Sequence, residues 1–128
     1  MAGYFGHIED LTLKNSFFRQ VVFTGKHTQL VLMSLKPGEE IGAEVHTGLD
    51  QFFRFEKGSG KVVIEETEYL VKDGDVVIVP GGSLHNIINT SDKDELKLYT
   101  LYSPPNHPER TIHKTKDEAV EAEKSEHH

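Results

Sequence analysis

The stretch "GDVVIVPGGSLHNIIN", residues 74–89, places two short apolar runs on either side of Pro80-Gly81-Gly82 and raises His85 directly after that turn. Runs this short, bounded by Pro and Gly, have the period of strands rather than of a helix. The same grammar extends outward in both directions. "RQVVFTG" (19–25), "TQLVLMSL" (28–35), "QFFRFE" (51–56), "KVVIEE" (61–66), "EYLV" (68–71) and "LKLYTLY" (96–102) join "DVVIVP" and "HNIIN" as strand candidates. Eight or nine strands result. Pro37-Gly38 suits a type II turn, Gly48 lies in "HTGLD", Gly58 and Gly60 bracket "KGSGK", and Asp73-Gly74 suits a hairpin. So many closely spaced strands imply an all-β closed barrel or sandwich.

The chain has 128 residues, the size of one domain with one core. Pro104, Pro105 and Pro108 in "SPPNHPE" cannot donate ladder hydrogen bonds, so the chain leaves the sheet there. Residues 1–114 are read as the barrel with its N-terminal strands and exit segment, and 115–128 as a short helix and charged tail. Thr115 stands three residues before Glu118, the spacing of a capping box. His127 and His128 fit an expression-tag remnant as well as a native tail.

Fourteen basic against twenty-one acidic side chains give a formal charge of -7, which disfavours nucleic acid as a partner. The absence of cysteine excludes disulfides, thiolate ligands and Cys nucleophiles. No run has the apolar length of a membrane span, and the start lacks a signal-peptide pattern, so the expected location is cytoplasmic. Apolar residues on both faces of "QFFRF" and "LKLYTLY" suggest a partner surface and hence a homodimer.

The chemistry gathers in two patches. In a strand through "GAEVHTGLDQ" (42–51), Glu44 and His46 share one face while Val45 faces away, and the turn at "TGLD" can return Gln51 beside them. His85 can approach from an adjacent strand. Four convergent polar groups on strands describe a metal site, although a histidine on a strand is more often a hydrogen-bonded structural residue. Spacing alone leaves both readings open.

At these residues the chain resembles the cupin superfamily. The first cupin motif runs Gly, five residues, His-x-His, three or four residues, Glu, six residues, Gly; here Gly38, Glu44-Val45-His46, Gln51 and Gly58 stand at those places. The second runs Gly, five residues, Pro-x-Gly, two residues, His, three residues, Asn, and Gly74, Pro80, Gly82, His85 and Asn89 match throughout. The resemblance covers about residues 30–103 and is similar to small single-domain, mannose-6-phosphate isomerase-like cupins. It implies a double-stranded β-helix (jelly-roll) barrel holding one divalent metal on Glu44, His46, Gln51 and His85. Two ligand positions depart from the usual three histidines and a glutamate: the carboxylate has moved to Glu44, and Gln51 supplies an oxygen without a second charge. That harder donor set favours Mn, Fe or Ni, with Zn also compatible. The departures separate the chain from activities tied to the usual ligands, such as oxalate oxidation.

Three function classes follow: metal-assisted isomerisation of a sugar or sugar acid, non-haem dioxygenase chemistry on Glu44, His46 and His85, or sugar binding without catalysis. Among other residues, Asp50 suits a turn cap better than a general base. Arg54 is expected at a surface or interface, and His27 and Gln29 near a strand lining the barrel. Tyr99 and Tyr102 are candidates for the pocket wall or core, and His107 and His113 for folding over the barrel mouth.

Overall fold

The computed structural model describes residues 2–126; the expectation for His127 and His128 lies outside them. Its elements in chain order are α1 (Ile8–Lys14), β1 (Arg19–Thr24), β2 (Gln29–Leu35), β3 (Asp50–Lys57), β4 (Ser59–Ile64), β5 (Thr67–Lys72), β6 (Val76–Val79), β7 (His85–Asn89), β8 (Leu96–Ser103), β9 (Ile112–His113) and α2 (Lys116–Glu126). Six strands form one sheet in the order β6-β3-β8-β2-β1-β9, and β5-β4-β7 form the second. All pairings are antiparallel. This is the jelly-roll barrel expected from the sequence, with the C-terminal helix in place.

Alternation decides which side chains enter the lumen. In β8, Leu96, Leu98, Thr100 and Tyr102 are buried while the residues between them are not. Cross-strand pairing extends each inward residue into a row. Met33, Leu98 and Phe55 make an apolar row, as do Val31 and Phe53 around Thr100. One end differs: Gln29, Tyr102 and Gln51 stand opposite one another, and all three are buried. The lumen is therefore graded, with an apolar floor and a polar end. Floor side chains each stabilise the fold by roughly 1.5–3 kcal/mol on full burial.

Three details depart from the sequence reading. The N-terminal region begins with a helix, α1, which packs against β2, β3 and β8 from outside. Glu9 and Asp10 in its first turn and Lys14 in its last complement the helix dipole, and Thr12 Oγ1 donates to the Ile8 carbonyl at 2.7 Å. It covers part of the outer sheet face; Leu32, pointing away from the lumen, is buried. Second, Asp73-Gly74 forms a turn closed by Asp75 N–H on the Lys72 carbonyl at 3.0 Å, but it links strands of different sheets rather than a hairpin. Third, the segment carrying Glu44 and His46 is not a continuous strand. Only Glu40 and Glu44 bridge to β7, because the backbone bulges at Gly42, whose N–H is taken by Asn86 Oδ1 at 2.9 Å.

The capping box forms as expected: Glu118 N–H donates to Thr115 Oγ1 at 3.2 Å, and Thr115 N–H to Glu118 Oε2 at 3.1 Å. Ala119 anchors α2 in the barrel's core cluster.

Candidate metal centre

The two motif segments meet through their backbones. Glu44 and His85 exchange both N–H···O=C bonds at 2.9 Å, which puts their side chains on the same face. Gly82 N–H donates to the His46 carbonyl at 2.9 Å, tying the Pro80-Gly81-Gly82 turn to the first motif. Glycine is required twice in that turn. Gly82 has φ +89°, and a Cβ on Gly81 would lie 2.7 Å from the Leu49 carbonyl oxygen.

Glu44, His46 and His85 converge: one ligand atom from each lies within 4.8 Å of the others. Val45 is half exposed and faces away, as alternation requires. His46 Nε2 stands 2.9 Å from Glu44 Oε2, so a proton or a cation must lie between two atoms that each offer a lone pair. The imidazoles of His46 and His85 are 5.5 Å apart between centroids. His85 Nδ1 is 3.0 Å from the Ser83 carbonyl, which only accepts, so Nδ1 carries the proton and Nε2 is left as a donor atom for a metal.

Gln51 reaches the polar end from the opposite sheet. Its Nε2 donates to Thr100 Oγ1 at 3.0 Å, and its Oε1 is buried with no hydrogen-bond partner. A buried amide oxygen left open is costly unless something takes it. It lies beside Tyr102, its cross-strand partner, whose ring meets His46 edge-on at 5.9 Å. Glu44, His46 and His85, with one imidazole fixed and a paired His/Glu, are a donor set that fits a divalent ion, and Gln51 brings an orphaned buried oxygen to the same polar end of the lumen.

The remaining candidates separate clearly. Asp50 Oδ1 accepts from Gly81 N–H at 2.9 Å, which makes it the turn cap. His27 is exposed at the β1–β2 turn. Gln29 is fully buried, but both ends of its amide are spent: Nε2 donates to Thr24 Oγ1 and the His107 carbonyl, and Oε1 accepts from Asn106 and His107 N–H. It pins the exit segment over the lumen. Tyr99 packs outside against Phe52, ring centroids 6.2 Å apart, and does not line the pocket, since it and Tyr102 have opposite parity. Arg54 pairs with Glu56 at 3.1 Å. Asn89 donates from Nδ2 to the carbonyls of Leu35, Lys36 and Asp94, a structural knot.

His107 does fold onto the polar end: its Nε2 is 3.2 Å from the Tyr102 hydroxyl. Burial, reinforced by the nearby charge of Arg19 and by His113 and His46, pushes the His107 imidazole down to about 3, so it is neutral at physiological pH. Tyr102 is pushed up to about 12 by burial; Arg19 acts against that rise, Glu44 with it. It stays protonated. Arg19, buried at the start of β1 beside His113, was missed in the sequence, where its parity with inward-facing Val21 was the available signal.

Comparison with known proteins agrees with this architecture. Residues 31–102 match the cupin domain family. The chain is 46% identical over 123 residues to the uncharacterized protein YrkC of Bacillus subtilis (strain 168), covering 91% of this chain and 66% of that protein. It is 44% identical over 108 residues to the uncharacterized protein L612 of Acanthamoeba polyphaga mimivirus, covering 82% of this chain and 68% of that one. A crystal structure from Bacillus halodurans superposes with TM-score 0.91 at 40% identity, covering 94% of this chain and 95% of the other. The chain therefore spans just under two thirds of the length of its Bacillus subtilis relative. Sequence family and architecture coincide over the strands that carry both motifs, and the chain belongs to the cupin family.

Proposed function

We propose that this cupin is a divalent-metal enzyme that isomerises a small sugar or sugar acid, with Glu44, His46, Gln51 and His85 as the ligands. The observation that carries the reading is the convergence of Glu44, His46 and His85 within 4.8 Å at the polar end of the lumen. A cleft of about 420 Å³ between Gly48–Asp50, Pro80-Gly81 and Ser103 offers room for a monosaccharide beside the turns that carry both motifs. When bound, the ion supplies Lewis acidity that eases loss of a proton next to a carbonyl. The chain's own groups do the rest. Tyr102, kept protonated, offers a hydroxyl proton to a developing oxyanion. His107, kept neutral and 3.2 Å from that hydroxyl, orients it by hydrogen bonding without adding charge. Gln29 keeps the exit segment seated, limiting water.

The test is incubation in deuterated water with aldoses, ketoses and uronates. Exchange at the carbon next to the carbonyl supports isomerisation; its absence across all three classes rejects it. A second reading has its own observation, because one carboxylate and two imidazoles are the ligand set of non-haem iron dioxygenases. Oxygen uptake with Fe(II) and a phenolic or diketone substrate, without proton exchange on sugars, would favour that chemistry.

A further inference from the structure

Arg19 is only 2% exposed, yet no ion pair among the described residues includes it. It opens β1 on the inward face, opposite Met33 on β2 and His113 on β9. Its partners carry no negative charge. Nη1 lies 3.2 Å from His113 Nδ1, and since a guanidinium only donates, that nitrogen accepts and the ring is neutral. The cation also stands over the Phe18 ring at 5.3 Å. Nε is buried with no hydrogen-bond partner at all. A structural arginine that is buried spends its donors on carboxylates or main-chain carbonyls, because an unpaired buried charge is among the costliest groups in a fold. Here the Nε donor is left open.

We propose that Arg19 is the anchor for the carboxylate of the small molecule taken by the lumen. The assignment rests on the lumen being a small-molecule site, but not on which reaction occurs there. A carboxylate matches the planar donor edge of a guanidinium. The β1 register sets Arg19 opposite Met33, yet its guanidinium charge acts on both Tyr102 and His107 at the polar end. Among the described residues no other Lys or Arg charge acts on that pair, and His113 accepts the guanidinium's hydrogen bond. A phosphate dianion would find no second side-chain cation among these neighbours. Glu44 and Glu123 act on Tyr102 through their charge, but neither is paired with the guanidinium. The substrate class is thereby narrowed from sugars in general to small carboxylic acids, sugar acids included.

The experiment titrates metal-loaded protein, labelled with ¹⁵N-arginine, with glucuronate, pyruvate and malonate, and in parallel with glucose and inorganic phosphate. At least one acid is expected to shift the Arg19 Nε–H resonance, with glucose leaving it in place. Arg19→Met should weaken binding of that acid at least tenfold while metal content stays at the wild-type level, and Arg19→Lys should fall between. The proposal is overturned if no acid moves the Nε–H resonance at millimolar concentration, if Arg19→Met binds the acid as wild type does, or if phosphate binds more tightly than every acid. Should Arg19→Met fail to fold by circular dichroism, the wild-type resonance decides by itself. Carboxylate binding without sugar proton exchange would remove the isomerase reading and leave this one standing.

Discussion

Gln51 is the residue where chemistry and stability meet most directly. Its nitrogen is committed to Thr100 while its oxygen lies buried and open. If that oxygen is a neutral ligand beside the Glu44 carboxylate, Gln51→Glu keeps the metal but makes the donor set more anionic, so Lewis acidity and turnover fall. If His85, whose orientation Ser83 fixes, is a ligand too, His85→Ala should release most of the metal. The exposed His27 serves as the control, His27→Ala retaining full occupancy. Elemental analysis after identical purification, with circular dichroism to verify folding, ranks the three; full occupancy in folded His85→Ala would reject the site. His107 yields a prediction about acid. Its imidazole is lowered in the fold from an ordinary 6.5 to about 3, chiefly by burial. Between those values the unfolded chain binds a proton that the folded chain refuses, so stability falls as pH drops below about 6.5. In metal-free protein, His107→Gln should show a shallower loss of urea midpoint from pH 7 toward acid than wild type. Parallel curves would mean that His107 titrates normally.

At the scale of elements, the decisive piece is the turn at Pro80-Gly81-Gly82. It closes with Ser83 N–H on the Pro80 carbonyl at 3.2 Å and reaches across to both His46 and Asp50. Gly81→Ala would push a methyl into the Leu49 carbonyl, costing about 1–3 kcal/mol by overpacking and displacing the link between the motifs. Urea denaturation should show the loss, and metal content should fall with it; an unchanged midpoint would mean that the Leu49 segment yields freely. This turn was legible because Pro and Gly at fixed spacing have few backbone solutions. The type II turn at Pro37-Gly38 was legible for the same reason, and Glu39 N–H closes it on the Lys36 carbonyl at 2.9 Å. α1 was not. Seven residues give too few turns for a helical period to stand out, and His7 at its N-cap makes no side-chain cap hydrogen bond.

For the whole molecule, the outer face of the larger sheet remains to be covered. α1 shields the part over Leu32, but Val76 and Ile78 on β6 are 53% and 60% exposed. Ile78 continues a row through Phe52 and Leu101 on the same outward face. We propose a second copy of the chain as the partner of this face, since a dimer would bury apolar surface that the barrel leaves in water. Sedimentation at tens of micromolar should then give twice the 14.4 kDa chain mass, and Ile78→Lys should shift the population to monomer. A single 14.4 kDa species in wild type would reject the dimer.

The sequence by itself determined what depends on local stereochemistry. Period-two alternation specified the strands and set Arg54 away from Gln51 on β3, but apolar residues on both faces of β8 left open which of Tyr99 and Tyr102 enters the lumen. Turn residues specified where the chain reverses, and the capping box specified the start of α2. The second motif named His85 and Asn89. Tertiary structure decided what depends on contacts between distant segments. It broke the Glu44–His46 segment into bridges, because Asn86 takes the Gly42 N–H that a regular strand would present to its neighbour. It assigned Gln29 to holding the exit segment and folded His107 onto Tyr102, across sequence separations that no local pattern encodes. It also buried Arg19 without an ion-pair partner among the described residues. Alternation predicts that this arginine points inward; only the packed barrel shows that among the described residues no carboxylate pairs with it there.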